Sequence, residues 1–421
     1  MPSFKTITLG CKVNQYETQY VREGLVRLGY AEAACGAPAD VYLVNTCTVT
    51  GKADLKSRKV IRQFHRENPQ AEIVVMGCYA TRDLQAVASL PGVSEIITDK
   101  RQLPALLQRF GLVEAPRGIS SFGSRHRAYV KVQDGCRLNC TYCIIPRVRP
   151  NLASRPIEDI LDEIRRLVGS GYREIVLTGI HLGHYGVDFG GQSPGGRIRL
   201  PQLLERIVQL DGHFRLRLSS IEGVETTPEL LAVMAAHPAR ICPHLHISMQ
   251  SGSDAVLRQM RRRWQSSRFR ERCQMAREIL DNPALTTDVI VGFPGETDAD
   301  FAATCRMAEE IGFSKIHIFR FSPRAGTPAA AMPDQITPEI KHRRAAELAD
   351  LERQLRIRYF QGLLGRELQV LVEEPHRRQP GVVLGTSARY APVELPSSRG
   401  MPGQLVEVRA QAAAEDRILA A

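Results

Sequence analysis

No run of apolar residues in this chain approaches the roughly 20 that a membrane-spanning helix needs, so no membrane association is expected. One Trp and 6% aromatic residues supply too few rings for an extended base-stacking platform of the single-strand-binding type. No internal repeat or low-complexity tract interrupts the chain. The opening Met1-Pro2-Ser3-Phe4-Lys5 leads directly into a strand pattern without the apolar stretch of a secretory leader, so a soluble cytoplasmic protein is expected. Disulfides are rarely kept in that compartment, and a secreted disulfide protein would be shorter. The ten cysteines must then be metal ligands, catalytic groups or small core residues, and their positions decide which.

The 421 residues are 43% hydrophobic and 24% charged, which is material for two or three packed domains. A formal net charge of +11 favours a polyanionic partner, because displacing counterions from phosphates drives association. A soluble surface that is merely basic is the competing reading.

Residues 4–110 alternate short apolar runs (Phe4–Leu9, Val41–Asn45, Ile73–Met76, Glu95–Ile97) with helical patterns over Thr18–Leu28 and Ala53–Phe64. Such alternation predicts a parallel, helix-covered sheet. Gly111 to Arg127 reads as a linker. A longer series follows, with strands expected at Tyr129–Val132, Glu174–Leu177, Arg215–Leu218, His244–Ile247, Asp288–Val291 and Lys315–Phe319. Its clearest helix carries Ile157, Ile160, Leu161, Ile164, Leu167 and Val168 on one face, with Pro156, Glu158 and Asp159 as start signals. Six β/α units predict a partial, open parallel barrel. After Thr337-Pro338 a charged helix runs to about Tyr359, and the last sixty residues alternate as a small antiparallel β-barrel. The expected divisions are 2–112, 122–353 and 356–421. The glycine-rich run Gly186–Gly196 reads as a flexible loop over the barrel mouth.

Cys11, Cys47 and Cys78 each stand just after an expected strand. All strand C-termini of a parallel sheet lie on one edge, where such folds place ligands, so the three can converge on a metal. Cys136, Cys140 and Cys143 form a second set in one loop, again after a strand. Three thiolates this close can hold three irons of a 4Fe–4S cube and leave the fourth iron open. A zinc site completed by His126 or a distant histidine is the alternative, but zinc sites usually pair two CxxC knuckles and no second knuckle exists. Cys35, Cys242, Cys273 and Cys305 have no matching spacing and read as packing groups.

The Cys136-x3-Cys140-x2-Cys143 spacing, with Tyr142 before the last cysteine, resembles the signature of radical S-adenosylmethionine enzymes. Leu177-Thr178-Gly179-Ile180 and Asp288-Val-Ile-Val-Gly292-Phe-Pro-Gly295-Glu296 resemble that superfamily's glycine motifs. The further cysteines Cys11, Cys47 and Cys78, with His246 to Asp254 and Arg320 to Pro328, extend the likeness over essentially the whole chain to the methylthiotransferases. These have an α/β N-terminal domain, a radical barrel and a small RNA-binding β-barrel called TRAM. Gly10-Cys11-Lys12-Val13-Asn14-Gln15, Val44 to Thr50 and His181-Leu-Gly183-His-Tyr185-Gly186 are most similar to the branch acting on threonylcarbamoyladenosine in tRNA.

The resemblance implies two 4Fe–4S clusters and S-adenosylmethionine. Cys136, Cys140 and Cys143 would hold the cluster whose open iron chelates S-adenosylmethionine and cleaves it to a 5′-deoxyadenosyl radical. Cys11, Cys47 and Cys78 would hold the cluster that donates sulfur. Tyr142, Thr178, Gly179, Ser219, Gln250, Gly292 and Glu296 would contact the cofactor, and Arg147, Arg149, Arg261, Arg262 and Arg263 are candidate RNA contacts. A solvated helix face is the competing reading of the last three. Implied partners are tRNA, an electron donor such as a flavodoxin or ferredoxin, and an unidentified sulfur donor. Alternatives within the family are isopentenyladenosine in tRNA and an aspartate of a ribosomal protein. Outside it stands a non-catalytic iron–sulfur RNA-binding or electron-transfer protein, which would need fully ligated clusters.

Overall fold

The computed structural model describes residues 1–123, 125–190 and 198–421. Its first sheet contains β1 (Ser3–Thr8), β2 (Ala31–Glu32), β3 (Val41–Thr46), β4 (Glu72–Gly77) and β5 (Val93–Ile97), all parallel, in the order β2-β1-β3-β4-β5. Val41–Thr46 are all buried, as expected of a central strand covered on both faces by helices. The strands that precede Cys11, Cys47 and Cys78 are immediate neighbours, with Thr8 opposite Asn45 and Thr46 opposite Gly77. Helix α1 (Lys12–Arg27) begins directly at Cys11, six residues before the expected start. Its first turns bury Asn14, Glu17, Thr18 and Gln19, polar residues that carry no apolar periodicity. Helix α2 (Gly51–Glu67) is capped by Thr50, whose side chain accepts from the Ala53 N–H.

The second unit has six parallel stations. They are β6 (Arg127–Asp134), β8 (Glu174–Gly179), a third position split into β9 (Arg215–Leu218) and β10 (Ser220–Ile221), then β11 (His244–Ile247), β12 (Ala284–Val291) and β13 (Lys315–Arg320). The short antiparallel β7 (Ala153–Ser154) adds to the β6 edge. The break at Ser219 divides the wall into sheets ordered β7-β6-β8-β9 and β10-β11-β12-β13, so the half-barrel is open between β6 and β13. The helix Ile157–Gly169 buries Ile160, Leu161, Ile164 and Leu167 against this wall, at about 1.5–3 kcal/mol each.

One helix, Pro338–Gln361, joins this unit to the last. Leu348 and Leu355 belong to the half-barrel core, whereas Tyr359 and Phe360 belong to the next. There β14 (Glu367–Pro375), β15 (Val382–Ser387), β16 (Pro392–Pro396), β17 (Leu405–Ala413) and β18 (Ile418–Ala420) close a barrel in the order β14-β15-β16-β18-β17. The small antiparallel barrel expected is present, with one parallel pairing, β16 with β18. Arg215 and Arg217 tie this barrel to the half-barrel. Both pair with the fully buried Glu174 and donate to the carbonyls of Gln369, Thr386, Ser387 and Ala388. Among the described residues no helix is long and apolar enough to cross a membrane. Of the expected loop Gly186–Gly196, residues 191–197 lie outside the described residues; Asp188, before them, accepts from the Ser154 N–H and hydroxyl.

Candidate active site

Cys11 follows β1, Cys47 follows β3, and Cys78 opens a short helix after β4. Cys47 lies close enough to the other two thiols for their charge to raise it further. Two glycines make the approach possible. Gly10 (φ +112°) would set a Cβ 3.0 Å from the Cys47 Cβ, and Gly77 (φ +102°) would set one 2.2 Å from the Thr46 carbonyl oxygen. The Asn14 amide donates to the carbonyls of Leu9 and Thr46, both at 3.0 Å, and so fastens the two strand ends beside Cys11 and Cys47. Burial lifts the Cys47 thiol to about 11, so a cation must compensate before it becomes a thiolate.

The second triad sits in the loop after β6. The Cys136 N–H donates to the Arg149 carbonyl, and the Cys143 N–H to that of Cys140. Burial pushes Cys143 up to about 12, with the two neighbouring thiols adding to the shift. Arg262 stands over this loop, with Nη1 3.6 Å from the Cys140 Sγ and 3.4 Å from the Tyr142 hydroxyl, and its other nitrogen paired with Glu222. On the opposite side the His181 Nδ1 lies 3.7 Å from the Cys136 Sγ while its Nε2 meets Glu225. Burial opposes a charge on His181, yet its bonds to Cys136 and Glu225 lift it to about 9. His184 is half-buried and stacked on that ring at 3.6 Å, and partial burial and the charge of His181 lower it to about 4. Each triad thus offers three sulfur donors, of which burial holds Cys11, Cys47, Cys140 and Cys143 as thiols until a cation compensates. That donor set fits an iron–sulfur cluster with one iron left for another ligand.

The triads belong to one site. Cys78 packs against Ile144 and Val148, just beyond Cys143. A cavity of about 210 Å³ runs between Val49 and Thr50 after Cys47, and Tyr142, Cys143, Gln250, Asp288, Ile290 and Phe319. A second, of about 130 Å³, is walled by all three cysteines of the second triad with Ile180, His181, Ser220, Glu222 and Arg262. A third, of about 400 Å³, lies in the half-barrel lumen. It touches Cys11, and it shares Asp288 and Phe319 with the first cavity and Ser220 with the second.

Family models match residues 130–308 as the Radical SAM superfamily and residues 3–99 as the uncharacterized protein family UPF0004. The threonylcarbamoyladenosine tRNA methylthiotransferase MtaB of Thermotoga maritima is 37% identical, covering 100% of this chain and 96% of its own. The same-named protein of Bacillus subtilis is 37% identical over 96% of this chain and 92% of its own. This chain belongs to the radical S-adenosylmethionine methylthiotransferase family. A Corynebacterium urealyticum family member, a tRNA-2-methylthio-N(6)-dimethylallyladenosine synthase, is 34% identical over 96% of this chain and 79% of its own. Among solved structures, the radical S-adenosylmethionine methyltransferase TsrM of Kitasatospora setae shares the fold at a TM-score of 0.57 and 13% identity, over 78% of this chain and 75% of that one.

In this methylthiotransferase the residues expected at the cofactor divide into two groups. Tyr142, Gln250 and Ser219 line the cavities. Gln250 holds a left-handed backbone (φ 67°) fixed by bonds to Asp288 and Ile290, and the Ser219 hydroxyl is buried without a partner among the described residues. Thr178 and Gly179 are packed against the barrel wall, and Ile180 and His181 reach the cavity instead. Gly292 and Glu296 bond each other and line none of the three cavities. The Glu296 carboxylate accepts from the Gly292 N–H at 2.6 Å and from Arg344 at 2.7 Å, tying the joining helix to the end of β12.

The arginines need a similar correction. Arg149 is buried at the floor of a groove it shares with Arg147 and Lys100, and its terminal nitrogens are taken up by Glu17, both at 2.8 Å, and also by Asp134 and Asn14. Arg262 serves the cysteine loop. Arg147, Arg261 and Arg263 are exposed, as an RNA contact requires. Cys242 and Cys273 are buried and Cys305 partly so, as packing groups should be, but Cys35 is exposed. Sequence reasoning missed His181, Glu222 and Glu225 as neighbours of the triad. His181 lies two residues beyond Gly179, so the strand-end rule that found the cysteines reaches it too.

Proposed function

We propose that this enzyme adds a methylthio group to C2 of N6-threonylcarbamoyladenosine, the nucleoside just 3′ of the tRNA anticodon. The observation that carries the reading is the closeness of the two cysteine triads, which flank neighbouring cavities that share lining residues. Relatives named for that nucleoside are 37–39% identical, and those named for the dimethylallyl nucleoside 33–34%. Cys136, Cys140 and Cys143 would hold the cluster that binds S-adenosylmethionine, and Cys11, Cys47 and Cys78 the one that carries sulfur. Bound there, the clusters and S-adenosylmethionine supply a radical for C–H activation and a methylsulfide for transfer. Tyr142, Gln250 and Ser219 then shape the cofactor's cavity, Arg262 and His181 steady the sulfur ligands, and Cys11 faces the lumen where the base would lie. The exposed Arg147, Arg261 and Arg263 suit phosphate contact, and a flavodoxin or ferredoxin in the cytoplasm suits the need for electrons.

Mass spectrometry of nucleosides from tRNA treated with the reconstituted enzyme, reductant and S-adenosylmethionine tests this. A methylthio adduct on threonylcarbamoyladenosine is expected. An adduct on isopentenyladenosine alone, or on ribosomal protein alone, overturns the substrate assignment.

A further inference from the structure

The lumen cavity has an uneven charge. Its wall includes Lys12, Arg127, Arg217, His244, His246 and His317, but a single carboxylate, Asp288, which faces the His246 Nε2 at 3.4 Å. Arg127 and Arg217 are committed to Glu174, Glu373 and backbone carbonyls. Lys12 is different. It stands in the first turn of α1, next to Cys11, and no hydrogen bond or ion pair holds its ammonium among the described residues. Deeper in the same cavity the buried His244 stacks on Tyr390 with ring centroids 4.4 Å apart, and its Nδ1 has no partner. An anion with further polar groups would complete both. Lys12 is exposed at the rim, so an apolar isopentenyl group would forgo its ion pair without stranding it, but would leave the buried His244 ring nitrogen unmatched, at a cost in binding.

We propose that this lumen receives the threonylcarbamoyl arm of the substrate, with Lys12 pairing with its free carboxylate and so selecting the acidic nucleoside over apolar ones. The inference rests on the proposed substrate and names the specificity-determining residue for it. Lys12 touches the substrate arm and takes no part in bond making. At about 400 Å³ the lumen is within the range of ligand pockets and can admit the arm together with part of the base.

The test uses anticodon stem-loop RNAs carrying threonylcarbamoyladenosine either as the free acid or as its neutral methyl ester, with full-length reconstituted enzyme. The native enzyme should prefer the acid by about 10- to 100-fold in kcat/KM, as expected for a hydrogen bond to a charged group. Lys12→Gln should lose most of that preference through the acid's KM, and Lys12→Arg should keep it. Acid and ester treated alike by the native enzyme, or a preference that survives in Lys12→Gln, would overturn the role of Lys12 while leaving the substrate assignment intact. If the native enzyme modifies neither RNA but modifies an isopentenyladenosine stem-loop, the substrate assignment itself fails, and the role of Lys12 with it.

Discussion

Arg149→Ala removes one of the cations that join the N-terminal domain to the half-barrel, and the structure fixes how large the effect should be. The Arg149 guanidinium is 2% exposed and spans Glu17 on α1 and Asp134 at the end of β6, at 2.8–2.9 Å. Burial works against a charge on Glu17, but Arg149 and then Lys131 outweigh it and hold the carboxyl at about 2, against an ordinary 4.5. At about 1.4 kcal/mol per pH unit, that depression corresponds to about 3 kcal/mol of stabilisation. Removing one partner of a buried pair costs about 3–5 kcal/mol. Lys131 remains 2.8 Å from Glu17, so the lower end applies, about 3 kcal/mol at pH 7. The carboxyl is depressed in the folded state, so its contribution is complete above the unfolded value near 4.5 and is lost as the pH falls toward 2. The difference between native and variant should therefore hold steady from pH 7 to 5 and shrink below that range. Urea unfolding followed by circular dichroism measures it, and Arg149→Ala/Glu17→Gln should recover part of the loss by removing the stranded charge. A variant within about 0.5 kcal/mol of the native protein at pH 7 would refute the reasoning.

Three further outcomes are expected. Cys140→Ala should abolish both S-adenosylmethionine cleavage and the methylthio product, assayed together by liquid chromatography. Cys47→Ala should abolish the product while some uncoupled cleavage persists, and equal loss of both would contradict the division between the triads. His181→Ala removes a donor to the Cys136 sulfur, worth about 1 kcal/mol, and so should lower the reduction potential of that cluster by about 40 mV in an electron-paramagnetic-resonance titration; an unchanged potential would contradict the contact.

The strands were legible because apolar runs and the glycines after them mark strand ends directly, and a parallel sheet puts all such ends on one edge. That rule brought Cys11, Cys47 and Cys78 together from positions far apart in sequence, and the structure adds that their strands are adjacent. Polar interfaces were not legible. The first turns of α1 are buried against other polar groups, so no apolar period announced Asn14 or Glu17. Arg149 and Arg262 look in sequence like Arg147 and Arg261, and only the fold reveals that the first pair is buried against carboxylates while the second is exposed. Glu296 stands in a cofactor-like motif, but Arg344, 48 residues later, claims its carboxylate. The same distance effect hid the parallel pairing of β16 with β18, which depends on where the last three-residue strand inserts.

The most direct test of a base held between the two triads uses a stem-loop RNA with deuterium at C2 of threonylcarbamoyladenosine, the complete enzyme, reductant and S-adenosylmethionine. Mass spectrometry should find that deuterium in 5′-deoxyadenosine, in step with formation of the methylthio product. Product formed with deuterium-free 5′-deoxyadenosine, or cleavage that never depends on the RNA, would contradict the account.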